Sequence, residues 1–191
     1  TPALMKLWRR WIRRITRPGH VVFFDECAIE RDACDDLLRF MGRIVGAGGA
    51  VRGVLEPLLR ERPDQLLIVN RTAAKAEELA AEFADLGTVE GGGYDLIGER
   101  QFDLVINASS AGLSGEMPDL PSTLLTERSC CYDMVYGPEP TAFMRWAAHH
   151  AAWAVSDGLG MLVEQAAQSF YLWRGQRPET RPVIHQIREA M

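Results

Sequence analysis

Long uncharged apolar runs are missing from this chain. None approaches the roughly 18 residues that a helical membrane span requires, so stable membrane insertion is not expected. Cysteine is scarce: Cys27, Cys34, Cys130 and Cys131 are the only four, two of them adjacent, and no C-x-x-C pair occurs. A disulfide framework and a cysteine zinc site are therefore not expected, and the pattern suits a reducing, cytoplasmic setting. Lysine is almost absent. Of the 21 basic residues only Lys6 and Lys75 are lysine, so a catalytic lysine has few places to be.

What is there reads as an ordinary globular chain of 191 residues, 47% apolar and 25% charged, enough for one domain or one plus an appendage. The net charge of −5 divides into +6 over residues 1–17 and −11 over the rest. An acidic body argues against nucleic acid as the main ligand. Residues 1–20 carry Leu4, Trp8, Trp11 and Ile15 at helical spacing among arginines. A charged helix face is usually a solvated face, so the expectation is a helix packing Trp8 and Trp11 on the body. A helix lying on an anionic membrane surface is the alternative.

From residue 43 onward apolar runs alternate with helical patterns. The runs cover 43–45, 66–70, 103–107, 130–135 and 152–156, and the helices 50–60, 73–84, 141–150, 159–173 and 178–189. Continuous apolar strands between helices imply an α/β fold, a Rossmann-like doubly wound parallel sheet, following an N-terminal helical segment. The division expected is an N-terminal segment of uncertain structure, 1–42, and a nucleotide-binding domain, 43–191. The first run is only three residues long, below the usual strand of about five. That shortness reads as a deletion, in an incomplete or a degenerate chain.

Chemistry concentrates after the first two strands. Gly46, Ala47, Gly48, Gly49 and Ala50 form a strand-to-helix turn. Gly46 permits the turn, Gly48 lets backbone N–H groups approach a pyrophosphate, and Gly49 and Ala50 allow close helix packing. Val51 occupies the third glycine position of the strict G-x-G-x-x-G pattern. After the second strand a chain binding NAD would place an acid on the ribose 2′-hydroxyl. Here stand Asn70, Arg71 and Thr72, with Lys75 one turn on. Two cations and a hydroxyl suit a 2′-phosphate, so the cofactor expected is NADP(H).

GAGGAVRGV, NRTAAKAEELAAEF, NASSAGLSG, YDMVYGPEPTAF and DGLGMLVEQAAQSFYLWRG follow one another in the order and spacing of shikimate dehydrogenase, and residues 44–189 resemble that family. The resemblance implies NADPH-dependent reduction of 3-dehydroshikimate to shikimate, in aromatic amino-acid biosynthesis, at a cleft between two α/β domains, of which this chain looks like the C-terminal, NADP-binding one. It implies Gly46 to Ala50 on the pyrophosphate, and Asn70, Arg71, Thr72 and Lys75 around the adenosine phosphate. It places Asn107 and Ser109, in the loop after the fourth strand of the fold, beneath the cofactor. Met134 and Gly158 fall on the nicotinamide side, and Tyr136 and Gln165 reach toward the substrate.

The sequence departs from that family in its first 42 residues. The family's Ser-x-Ser pair and the lysine of its N-V-T-x-P-x-K stretch have no counterpart. Asp32 to Arg39 faintly resembles the family's G-D-N-T-D-G stretch, which makes Asp35 the candidate catalytic acid. A non-catalytic NADP-binding module and a quinate/shikimate relative are the alternatives. The oligomeric expectation is a monomer or homodimer, and no metal is implied.

Overall fold

The computed structural model describes residues 23–24, 27–28, 41–45, 49–60, 62–109, 117 and 119–191. Strands β1 (Phe23–Phe24) and β2 (Cys27–Ala28) pair antiparallel. The basic stretch 1–20 and Asp35 lie outside the described residues.

The remaining elements alternate strand and helix. They are β3 (Met41–Val45), α1 (Gly49–Arg60), β4 (Gln65–Val69), α2 (Ala73–Phe83), β5 (Val89–Gly92), β6 (Phe102–Asn107), β7 (Leu125–Asp133), α3 (Ala142–His149), β8 (Ala154–Ser156), α4 (Leu159–Arg174) and α5 (Arg181–Ala190). Single 3₁₀ turns at Tyr94–Ile97 and Ser122–Leu124 lead into β6 and β7. Six strands form one wholly parallel sheet in the order β5-β4-β3-β6-β7-β8. This is the doubly wound, Rossmann-like α/β arrangement expected from the sequence.

Side chains alternate across this sheet, as a period of two requires. Leu66, Ile68, Leu104, Ile106, Cys130 and Tyr132 join one core with Val51, Val54, Leu55, Leu58 and Leu59 of α1 and Ala76, Leu79 and Ala80 of α2. Leu67, Val69, Val105 and Cys131 join the opposite core with Phe102, Ile97, Leu124, and Phe143 and Ala147 of α3. Both faces are covered, which is why these strands read as continuous apolar runs. At about 25 cal/mol per Å² of apolar surface removed from water, these two layers are the dominant favourable contribution to the fold.

Beyond shifts of one or two residues at other element ends, the expected and observed elements differ at four places. The first strand of the sheet is five residues long, Met41–Val45, and pairs along its length with β4. The shortness expected of that strand is therefore corrected, because Met41 and Gly42 belong to it. β5 was not expected at all, since its sequence VEGG looks like a turn. Glycine is needed at Gly91 because a β-carbon there would lie 2.0 Å from the Ala76 carbonyl oxygen of α2. β7 begins five residues early, at Leu125, through an irregularity opposite Phe102 and Leu104. Ser129 stitches that irregularity: its hydroxyl donates to the Phe102 carbonyl (2.7 Å) and accepts from the Thr126 N–H (2.7 Å). Finally, α5 begins at Arg181 and not at Pro178. Thr180 donates to the Glu164 carboxylate (2.6 Å) and Arg177 pairs with its other oxygen (2.5 Å), which ties down the connection before the helix.

Candidate functional site

The strand register brings the carboxyl ends of the sheet into one row. Val45 lies opposite Val69 and Asn107, Val69 opposite Gly92, and Asn107 opposite Asp133. Tyr132, one step back on β7, lies opposite Ser156, the last residue of β8. The segments that follow this row start at Asn70, Ala108, Met134 and Asp157. The chain leaves β3 toward β4 on one side and β6 toward β7 on the other. At such a divergence, on the carboxyl edge, doubly wound sheets take their ligands. Of the glycine turn, Gly46, Ala47 and Gly48 lie outside the described residues. Gly49 and Ala50 open α1, whose first turn holds no acidic residue, so its positive end is free to meet an anion.

After β4 the chain turns under the control of Asn70. Its N–H donates to the Gly92 carbonyl (3.0 Å), and its side-chain amide donates to the Thr72 carbonyl (3.0 Å). Thr72 occupies the N-cap position of α2, yet its hydroxyl caps nothing. Cap residues ordinarily spend their side-chain oxygen on the helix; this one keeps it available. Arg71 and Lys75 are exposed, and neither forms an ion pair with a described residue. The turn thus offers two cations, a hydroxyl and the start of a helix at one place.

Asn107 sits at the divergence of the sheet and is fully buried. Its side-chain oxygen accepts from the Ser109 N–H (3.2 Å) and hydroxyl (2.7 Å). Its amide nitrogen, Nδ2, is buried with no hydrogen-bond partner among the described residues. A buried donor left unpaired costs about 1–3 kcal/mol, and an acceptor arriving at this edge would recover it. This orphaned amide, together with the uncapped turn after β4, makes the residues present fit a nucleotide cofactor along the row.

Beyond β7 the backbone leaves the sheet because Asp133 captures it. Asp133 accepts from the Val135 N–H (3.0 Å) and from the Thr141 hydroxyl (2.6 Å), and Thr141 in turn caps α3 by accepting from the Met144 N–H (3.2 Å). Burial pushes the Asp133 carboxyl above its ordinary value. The bonds from Thr141 and Val135 pull it back in part, as does the nearby Asn107 amide, which stops short of full hydrogen-bond geometry. Met134 and Gly158 come into direct contact, and the Gly158 N–H donates to the Val135 carbonyl (3.3 Å).

Tyr136 stands 40% exposed at the end of this row. Gln165 lies half-buried in α4, and its side chain has no hydrogen-bond partner among the described residues. In the sequence Gln165 is flanked by the apolar residues Leu162, Val163, Ala166 and Ala167, which by themselves imply an apolar surface around it. The structure corrects that reading: Val163 and Ala167 are buried but Leu162 and Ala166 are exposed, so Gln165 marks the boundary between core and solvent.

Sequence reasoning missed a second layer. Arg188 of α5 donates through one nitrogen to both carboxylate oxygens of Asp157 (2.8 and 2.8 Å) and through the other to the Gly137 carbonyl (3.1 Å). Asp157 also accepts from the Leu159 N–H (3.2 Å), the first residue of α4. The position of Asp157, directly after a strand, was a usable signal. Arg188 had none, since its partners are 31 and 51 residues away. Among the described residues no helix is long and apolar enough to cross a membrane.

The family model for Shikimate / quinate 5-dehydrogenase matches residues 31–112, and that for the Shikimate 5'-dehydrogenase C-terminal domain matches residues 158–188. A Shikimate dehydrogenase (NADP(+)) of Cellvibrio japonicus is 57% identical over 148 residues, which are 78% of this chain and 54% of that protein. One from Methylococcus capsulatus is 54% identical over 167 residues, 85% of this chain and 60% of that protein. The crystal structure of Shikimate 5-Dehydrogenase from Thermus thermophilus in complex with NADP(H) and shikimate is 32% identical, with a TM-score of 0.66 over 81% of this chain and 56% of that one. The chain therefore spans between half and two thirds of the length of these proteins.

Proposed function

The chain belongs to the shikimate dehydrogenase family, and from that premise we propose that the sheet and its helices, from Met41 onward, are the NADP(H)-binding domain of an enzyme that interconverts 3-dehydroshikimate and shikimate; the boundary expected at 43 moves to 41 because Met41 and Gly42 pair with β4. The observation that carries this reading is the turn after β4, where Arg71 and Lys75, without an ion pair among the described residues, stand with the free-standing hydroxyl of the N-cap Thr72 at a helix start. A 2′-phosphate is the ligand whose charge and acceptor oxygens suit that set.

In this reading Gly46, Ala47, Gly48, Gly49 and Ala50 hold the pyrophosphate against the start of α1. Asn70 fixes the turn that presents Arg71, Thr72 and Lys75 to the adenosine phosphate. Asn107 and Ser109 support the cofactor from below, and Met134 and Gly158 wall its nicotinamide side. When bound, the nicotinamide supplies or accepts the hydride; the protein contributes position and electrostatics. Tyr136 and Gln165 orient the substrate through its hydroxyl or carboxylate groups, and Asp35 handles the hydroxyl proton that accompanies hydride transfer.

A second reading, a module that holds NADP(H) without turnover, is favoured by the placement of lysine. Lys75 sits on α2, on the half of the sheet opposite Tyr136, and so serves the cofactor and not the substrate. Titrating the chain with NADP and then adding shikimate separates the two. Preferential NADP binding followed by growth of NADPH absorbance supports the enzyme, and binding without that growth supports the module. Failure to bind NADP refutes both.

A further inference from the structure

Tyr136 is bracketed on both sides by contacts to its neighbours' backbone carbonyls. Val135 is held by the Gly158 N–H (3.3 Å) and Gly137 by Arg188 (3.1 Å). The same guanidinium grips Asp157, whose carboxylate receives the first N–H of α4, the helix that carries Gln165. One side chain therefore joins the loop that carries Tyr136 to the start of the helix that carries Gln165. The helix that delivers it has little other purpose in the core: α5 contains no fully buried residue. Its root is fastened independently, through Glu164 to Arg177 and Thr180.

We propose that Arg188 is a positioning residue, which fixes Tyr136 relative to α4 by clamping Gly137 and Asp157 together. The proposal rests on the reading that Tyr136 faces the substrate. A forked guanidinium is required, because a single ammonium cannot serve a carbonyl and a carboxylate with the same planar geometry. With Arg188 present, the backbone on both sides of Tyr136 is held in one place before the substrate arrives, so less ordering remains to be done on binding.

The test uses the full chain labelled with fluorotyrosine, whose four tyrosines give four fluorine resonances, assigned by substituting each with Phe. In Arg188→Gln the Tyr136 line is expected to shift while the Tyr94 and Tyr171 lines stay, and in Arg188→Lys it returns part of the way. With NADP present, shikimate should move the Tyr136 line of the parent, and Arg188→Gln should need about tenfold more shikimate, the worth of one charged hydrogen bond. NADP affinity should change by less than about twofold, a few tenths of a kcal/mol. A Tyr136 line unmoved in both variants overturns the clamp. So does movement of all four lines together in both, which would mean that Arg188 only stabilises the fold. A parent that binds NADP but whose Tyr136 line ignores shikimate overturns the link to substrate, and a parent that binds no NADP overturns the functional reading itself.

Discussion

A β-carbon at Gly158 would stand 2.1 Å from the carbonyl oxygen of Met134, so the loops after β7 and β8 meet backbone to backbone. Two residues that resemble nicotinamide contacts are thus also each other's packing partners. The glycine at 158 is explained by this approach before any ligand is considered.

Gly158→Ala is accordingly expected to destabilise the chain. The obstructing atom is a backbone oxygen and not the end of a flexible side chain, so one loop must move. Overpacking of this kind typically costs about 1–3 kcal/mol. Urea unfolding that gives the same midpoint for variant and parent would show that the two loops are not in contact.

The fold was legible where burial on both faces forced continuous apolar runs, as in Leu66–Val69. It was illegible at β5, because Gly91 and Gly92 look like a turn until the helix packed against them is seen. The cations Arg71 and Lys75 could be read locally, since a strand end and a helix start already fix their place. The orphaned amide of Asn107 could not, because satisfaction of a polar group depends on every neighbour at once. Arg188 was invisible for a related reason: its meaning lies in Asp157 and Gly137, which the sequence separates widely.

Replacing Arg71 and Lys75 together by Ala should remove about 2–3 kcal/mol of preference for NADP over NAD, the scale of hydrogen bonds to a charged group. Calorimetric titration of both cofactors measures this. Equal affinity of the unmodified chain for NAD and NADP would remove the assignment of this turn to the 2′-phosphate.

Asp133 makes stability depend on pH in a stated direction. Its carboxyl titrates higher in the folded chain than in the unfolded one, with burial the main cause. As pH rises from the usual carboxylate value, the unfolded state loses its proton first. The folded state then binds more protons, and stability falls until the folded group has also ionised. Asp133→Asn keeps an acceptor for Thr141 but cannot ionise. The parent should therefore lose stability relative to the variant across that window and hold a constant difference above it. Urea titrations at several acid pH values check this, and a difference that does not vary with pH contradicts the burial of Asp133.

Asn107→Asp tests the carboxyl edge of the sheet most directly. The parent residue keeps its oxygen on Ser109 and leaves Nδ2 as a buried donor without a described partner. The substitution exchanges that donor for an oxygen, beside the buried carboxyl of Asp133 on the neighbouring strand. Ionised, it would repel a phosphate-bearing ligand; protonated, it would again offer a donor. Two buried carboxyls in adjacent register positions disfavour joint ionisation, so protonation should persist above the usual carboxylate range. NADP affinity is thus expected to fall by about tenfold or more at pH 8, one lost charge-assisted contact, and to recover in part toward pH 5.5. Titrating NADP at the two pH values, with Asn107→Ser as the neutral control, reads both effects. An affinity equal to the parent's at pH 8 would place the cofactor elsewhere than over Asn107.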